Sequence, residues 1–332
     1  MKRLTKYYLQ VGSLLLMAFV MVSCKKDETT TTFDNNKINL VIADNFNLSS
    51  FNAVLRKSGL DRVLQDEKGP FTMLAPSDAA FANAGYSGPA VVLGAGNAII
   101  SSIANYHTLD GKYELNKLPY LFNQELNSRG GKMYATHWIK GVDTVLTLNG
   151  ARVLSVNLPA SNGLVQVLDR MLIPYVHDVI SEAISADSDI TLFAQALKVS
   201  GLLETMRKGG PYTVFAPTNA AMTALGYTSV QQIQKTDPMV LKAMLTYHIV
   251  EDRRFIYDYI LSTGTSNIAQ QGMMDGNSVT IKLLPNSSSP GSFSGIALRG
   301  TGNTSDVTLV KQDMLTGNGI LHVINGGLRI TQ

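Results

Sequence analysis

Five histidines and one cysteine bound the chemistry open to this chain. The histidines stand at 107, 137, 177, 248 and 322, and none falls in His-x-His or His-Glu-x-x-His spacing, which would aim two imidazoles at one cation. No metal site is expected. Two histidines follow a tyrosine, as Tyr106-His107 and Tyr247-His248. Such a pair could meet a partner, but at the end of an apolar helix it is expected to pack inward with its polar tips hydrogen-bonded. GYSGP and GSFSG both miss the Gly-x-Ser-x-Gly spacing of a nucleophile elbow. GTGN at Gly300 and GNG at Gly317 lead into no helix whose amides could receive a phosphate, so both read as turns. Asp187, Asp189 and Asp252 give no reason to choose two carboxylates as acid and base. The expectation is a non-enzymatic protein with no catalytic residues and no cofactor.

Cys24 is explained by what precedes it. Lys2, Arg3 and Lys6 lead into an apolar run centred on Leu14 to Val22, which ends Met21-Val22-Ser23-Cys24. A basic start, a short apolar core and a small residue before the break mark a secretory signal peptide. The core is shorter than the roughly 20 residues a membrane span needs. Ser23 before the single cysteine resembles a bacterial lipobox, with Met21 where leucine is usual. That resemblance implies cleavage after residue 23, a diacylglyceryl thioether on Cys24 and acylation of the new amino group. Two or more chains, at about 0.8 kcal/mol per buried CH₂, hold a domain on a membrane where one would be marginal. Lys25-Lys26-Asp27-Glu28 resembles the export signal of Bacteroidetes lipoproteins, and TTTTFDNN is too polar and simple to pack. Residues 1–23 therefore read as signal peptide and 24–36 as a lipidated tether. The expected location is the outer membrane, lipid-anchored, at the cell surface or on the periplasmic face.

The bulk numbers narrow the partners. A net charge of +3 over 332 residues, with 16% charged side chains, makes no basic stripe, so no nucleic-acid partner is expected. The length exceeds one average domain. The chain shows why: GPFTMLAPSDAAFANAGY, from Gly69 to Tyr86, returns as GPYTVFAPTNAAMTALGY from Gly210 to Tyr227. The register that sets Pro70 on Pro211 also sets Tyr106-His107 on Tyr247-His248. NGLVQVLDRML from Asn162 meets NGILHVINGGL from Asn318 in a register 15 residues longer, and PNSSSPGSFSG, Pro285 to Gly295, is the expected site of most of that excess.

Local patterning gives the elements that must position these residues. Leu48, Phe51 and Leu55, and again Ile190, Phe193 and Leu197, make apolar stripes at helical spacing, with stops at Gly59 and Gly201. FTML and YTVF predict buried strands closed by Pro76 and Pro217. Ser77-Asp78 and Thr218-Asn219 offer capping oxygens, and a short alanine-rich helix follows each. Asn97 to Tyr106 and Asp237 to Tyr247 are again helical, the latter with Pro238 at its first position. After each Tyr-His the chain turns to β character: DTVLTL, ARVLSV and GLVQVL, then SVTIKL, GIAL, DVTLV and GILHVI. Helices first and strands later predict an α+β domain with a largely antiparallel sheet or sandwich.

The paired first blocks, the Tyr-His dipeptides and the terminal NGLVQVLDRMLIP and NGILHVINGGL together resemble the fasciclin domain. That family's first motif is usually Thr-x-Phe-Ala-Pro-Thr-Asn-x-Ala-Phe and its second Asn-Gly-x-x-His-x-Ile-Asp. Gln166 stands where the second motif commonly has histidine, and Met222 where the first has phenylalanine. The resemblance implies two tandem fasciclin-like domains, residues 37–175 and 176–332, each a wedge-shaped β-sandwich with helices packed on it. It further implies adhesion or matrix interaction through surface proteins or glycans; a glycan-associated surface lipoprotein of a polysaccharide-capture system is the alternative reading, and an unrecognised enzyme the third. In some animal relatives the Tyr-His region has been proposed as a receptor-binding motif, which here would point to Tyr106, His107, Tyr247 and His248. The join, LIPYVHDVISEA, has few glycines or serines, so limited freedom between the domains is expected.

Overall fold

Each copy builds its helical layer first. In copy one, α1 (Ile38–Ala43), α2 (Ser49–Ser58) and α3 (Leu60–Asp66) precede β1 (Phe71–Pro76). Phe51, Val54 and Leu55 bury the stripe of α2, and the chain leaves it through Gly59 at φ 77°. Then come α4 (Asp78–Asn83), α5 (Pro89–Gly94), α6 (Asn97–Tyr106), β2 (Thr108–Asp110), β3 (Gln124–Ser128), β4 (Gly131–Lys140), β5 (Asp143–Leu148), β6 (Ala151–Ala160) and β7 (Gly163–Leu168). Copy two repeats the order with α7 (Ile180–Ala186), α8 (Thr191–Val199), α9 (Leu202–Lys208), β8 (Tyr212–Pro217), α10 (Asn219–Ala224), α11 (Val230–Lys235) and α12 (Pro238–Thr246). It continues through β9 (Ile249–Val250), β10 (Ile268–Gly272), β11 (Ser278–Pro285), β12 (Phe293–Arg299), β13 (Val307–Thr316) and β14 (Gly319–Ile324), and inserts α13 (Ile256–Ser262) after β9. This computed structural model describes residues 34, 36–288 and 291–331; Cys24, the expected signal peptide and most of the expected tether lie outside the described residues.

The strand order is β2-β1-β7-β6-β5-β4-β3 in copy one and β9-β8-β14-β13-β12-β11-β10 in copy two. Every neighbouring pair is antiparallel except β1 with β7 and β8 with β14, where the first long strand of a copy lies parallel to its last. Both faces of β1 and β7 are covered, as a parallel pair requires. Met73, Ala75, Val165 and Val167 pack under Phe51 and Ile100 of the helical layer. Leu74 and Leu168 face the other way, onto Leu126, Met133 and Leu148 of the antiparallel half. That second apolar layer makes a sandwich of what is a continuous run of seven strands. Close approach of the parallel pair explains the motif glycine: a Cβ at Gly163 would overlap the Phe71 carbonyl, and one at Gly319 crowds that of Tyr212.

The repeated first motif is spent on capping, across a longer range than local reading suggests. Ser77 Oγ accepts from the Ala80 N–H, and Thr218 Oγ1 from that of Ala221, as expected. Asp78 and Asn219 reach back to a helix about 28 residues upstream. The Asp78 carboxylate accepts from the Ser50 N–H at 2.7 Å and the Ser49 hydroxyl at 2.6 Å, while Asn219 Oδ1 accepts from the Leu192 N–H at 2.9 Å. Neither α2 nor α8 has a side-chain cap of its own, so these residues satisfy otherwise orphaned amides. Partial burial works against the Asp78 charge, but the hydrogen bonds from Ser49 and Ser50 outweigh it and hold the carboxyl below its usual range.

The longer register of copy two has a different origin from the one expected. Three two-residue turns of copy one, 129–130, 141–142 and 149–150, become 273–277, 286–292 and 300–306, so the Pro285 region carries only part of the excess. The 300–306 turn folds onto the C-terminal segment. Asn303 Oδ1 accepts from Gly300 and Arg329, and its Nδ2 donates to the Gly327 carbonyl.

A cap shared in oxygen but not in charge predicts its own mutational signature. Asp78→Ala should cost about 1–2 kcal/mol in urea titration and speed amide exchange at Ser49 and Ser50, whereas Asp78→Asn should cost less than half of that.

Candidate functional site

The Tyr-His residues close the helical layer onto the sheet. Tyr106, His107, Tyr247 and His248 are all fully or almost fully buried. The Tyr106 hydroxyl donates to the Lys132 carbonyl at 2.8 Å, and that of Tyr247 to the Ser278 carbonyl at 2.8 Å. His107 Nδ1 donates to the Ile103 carbonyl and its Nε2 accepts from the Leu172 N–H, at 2.8 and 3.1 Å. His248 does the same with Met244 and Leu328, at 3.0 Å each. Each imidazole is therefore neutral and ties the end of a helix to the segment after the last strand. As the chain folds here, none of the four presents a face to a partner.

The Gln166 departure proves to be an equivalent. His322 Nδ1 accepts from the Asp313 N–H at 3.1 Å and its Nε2 donates to the Arg254 carbonyl. Gln166 Oε1 accepts from the Asn157 N–H at 2.8 Å and its Nε2 donates toward the Tyr113 carbonyl. Asn157 and Asp313 both hold φ 56°, so the two side chains pin the same left-handed bulge. Met222 fills the place of Phe81, and both are fully buried. The residues the copies share hold the fold; what could act elsewhere lies where they differ.

The largest such difference is a junction between the copies. Met133 and Ala135 of β4 point into the core of copy one, while Tyr134 and Thr136, which alternate with them, meet copy two. The Arg253 guanidinium carbon lies 3.7 Å from the centre of the Tyr134 ring. Thr136 Oγ1 donates to Asp258 Oδ1 at 2.8 Å, and Asn123 Nδ2 to Asp258 Oδ2 at 3.2 Å. Asp258 also accepts from the Phe255 N–H, capping α13. At the other end of α13, Lys140 Nζ donates to the carbonyls of Thr263 and Gly264. A seven-residue helix is marginal alone; β4 holds this one at both ends, through the Thr136 hydroxyl on the helix's own Asp258 and through the Lys140 ammonium at its C-terminus, where the dipole favours a cation. Tyr134, Phe255 and Ile320 form a buried apolar cluster beside it. Arg170 reaches Asp313 at 3.0 Å, and Asp313 also accepts from the Ile256 N–H. Trp138, the only tryptophan, lies 4.6 Å from Phe122, and Arg254 covers that ring at 5.1 Å.

Burial sets the charge states. It drives the pKa of His107 and of His248 down to about 4, against the pull of their backbone hydrogen bonds. Burial pushes Asp258 up to about 6, although hydrogen bonds from Phe255, Thr136 and Asn123 oppose it. None of the junction residues was singled out from sequence. The available signals were a carboxylate inside the apolar run FIYDYIL and polar-apolar alternation in MYAT. Among the described residues, no group of three or more His, Cys, Asp or Glu side chains could hold a metal ion, and no helix is long and apolar enough to cross a membrane.

Comparison with known proteins gives the chain two matches to the fasciclin domain, over residues 46–174 and 188–329. Human periostin is 26% identical over 264 residues, 78% of this chain and 28% of periostin, so the chain spans little more than a quarter of that relative. The cell surface glycolipoprotein MPB83 of Mycobacterium bovis is 49% identical over 49 residues, 15% of this chain and 21% of MPB83. A FAS1 domain pair from the insect cell adhesion molecule fasciclin I is 18% identical with a TM-score of 0.40, covering 84% of this chain and 95% of that one.

The titrating groups predict opposed acid responses. Each neutral histidine contributes stability that is complete above pH 6.5 and withdrawn by up to about 3 kcal/mol as pH falls toward 4. Asp258 acts in the other sense: its raised pKa favours the folded state increasingly as pH falls through 6, by up to about 3 kcal/mol. Asp258→Asn should therefore lose more stability between pH 7.5 and 4.5 than the parent chain, read by urea titration of Trp138 fluorescence.

Proposed function

The chain belongs to the fasciclin family, and from that premise we propose that it is a lipid-anchored, non-enzymatic cell-surface protein that mediates adhesion or matrix interaction. The observation that carries this reading is the division of labour between shared and unshared residues. The motif threonines and Tyr-His pairs common to both copies are buried and hydrogen-bonded within the fold, while a buried polar junction joins one copy to the other. Loops of both copies then reach a partner as one body. Two weak contacts so held reinforce each other through effective concentration when their spacing suits the partner. The lipobox-like Ser23-Cys24 supports the anchor, and MPB83, one of the relatives, carries a name that places it at the cell surface as a glycolipoprotein.

Two measurements test the two halves of the reading. Cys24→Ala should abolish lipid labelling and leave the signal uncleaved; lipid labelling or cleavage after residue 23 that persists in the variant overturns the anchor. Beads coated with residues 25–332 should adhere saturably to cells or matrix; saturable binding to a glycan panel without adhesion overturns the adhesion role.

A further inference from the structure

The ladder between β5 and β6 ends after two residue pairs, Thr147 with Arg152 and Leu148 with Ala151. Asp143–Leu146 then pairs only with β4, and β6 beyond Arg152 pairs only with β7. A strand has two edges, so each of these segments turns an unpaired row of backbone donors and acceptors toward the other. Between them lies a cleft of about 560 Å³, walled on its third side by Tyr257, Ile260 and Leu261 of α13. Natural sheets guard such edges with charge, proline or cover. Here α13 and a few charged side chains flank the edge, but Leu154 and Val156 stay 52% and 40% exposed. Of the charged side chains lining it, Lys140 is engaged with the Thr263 and Gly264 carbonyls and Arg152 with Asp169. Asp143 also lines it, and its carboxylate makes no hydrogen bond or ion pair among the described residues.

We propose that this cleft binds an extended peptide segment of a protein partner, added as a strand to the free edge of β5, with apolar side chains at alternate positions against Leu154 and Val156 and a lysine or arginine beside Asp143. Strand addition draws affinity from main-chain hydrogen bonds and specificity from the alternate side chains. The α13 wall lets the segment touch both copies at once, so the site depends on the junction being formed. The inference deepens the adhesion reading and rests on it for the partner being a protein.

The test uses the mature chain and a labelled hexapeptide, Lys-Val-Thr-Val-Thr-Val, followed by fluorescence anisotropy. Saturable binding is expected, at least tenfold weaker for Lys-Val-Pro-Val-Pro-Val, which lacks two of the backbone N–H donors. Asp143→Lys should weaken the parent peptide at least fivefold and favour Glu-Val-Thr-Val-Thr-Val instead. Leu154→Arg should weaken both, with unchanged Trp138 emission confirming that each variant is folded. Absence of saturable binding, equal affinity for the proline peptide, or indifference to Asp143→Lys overturns the assignment. Coated-bead adhesion separates the two readings: adhesion that persists when the peptide arm fails removes the cleft and leaves the adhesion role standing.

Discussion

The parallel pairing of β1 with β7, and of β8 with β14, is the constraint on which the rest of each copy depends. It joins the first long strand of a copy to its last, so almost the whole copy is the connection between two adjacent strands. Such a pair is stable only if both faces are covered. The helical layer supplies one cover and the antiparallel strands the other. The repeated motifs cluster here for that reason. Asn162 accepts from the Ile38 N–H and donates to the Leu64 carbonyl, and Asn318 makes the corresponding bonds to Ile180 and Met206. Thr72 and Thr213 donate to the carbonyls of Gly111 and Asp252 at the strand edges.

With the shared residues committed to that core, the copies are free to differ at their margins, and the junction is made of such differences. Helix α13 occupies a stretch where copy one has only a single 3₁₀ turn, Leu115–Lys117. A buried carboxylate at a contact surface adds little net stability and is costly to leave unpaired. What Asp258 supplies is selectivity: only an arrangement that delivers Thr136 and Asn123 together satisfies it.

The elements that were legible in sequence are those governed by neighbours a few residues apart. Helical stripes, the caps at Ser77 and Thr218 and the glycine exits all follow from local periodicity and backbone chemistry. Periodicity says that a face is buried without saying against what, so the alternation in MYAT gave no sign that Tyr134 and Thr136 meet the other copy. The role of Asp78 was legible as a cap, but its target was not, because the amides it satisfies lie far upstream. Helix α13 was missed because IYDYILS is short and rich in β-prone residues, and its ends are supplied by another part of the chain. Gln166 stood out as a departure from the motif because residue type was the only guide; the geometry shows an amide doing the work of an imidazole.

The lengthened 300–306 turn bears on self-association. It carries Asp306, which pairs with both Lys282 and Arg299. On β11 the positions alternating with buried Val279, Ile281 and Leu283 are Thr280, Lys282 and Leu284, the side corresponding to the one β4 turns toward copy two. Exposed ion pairs of this kind stabilise a fold by little, but covering them means stripping hydrated charges. A head-to-tail contact of the type that joins the two copies, repeated from chain to chain, builds a ring where its rotation closes and a fibre where it does not. Asp306 therefore makes that side of copy two costly to bury against another molecule.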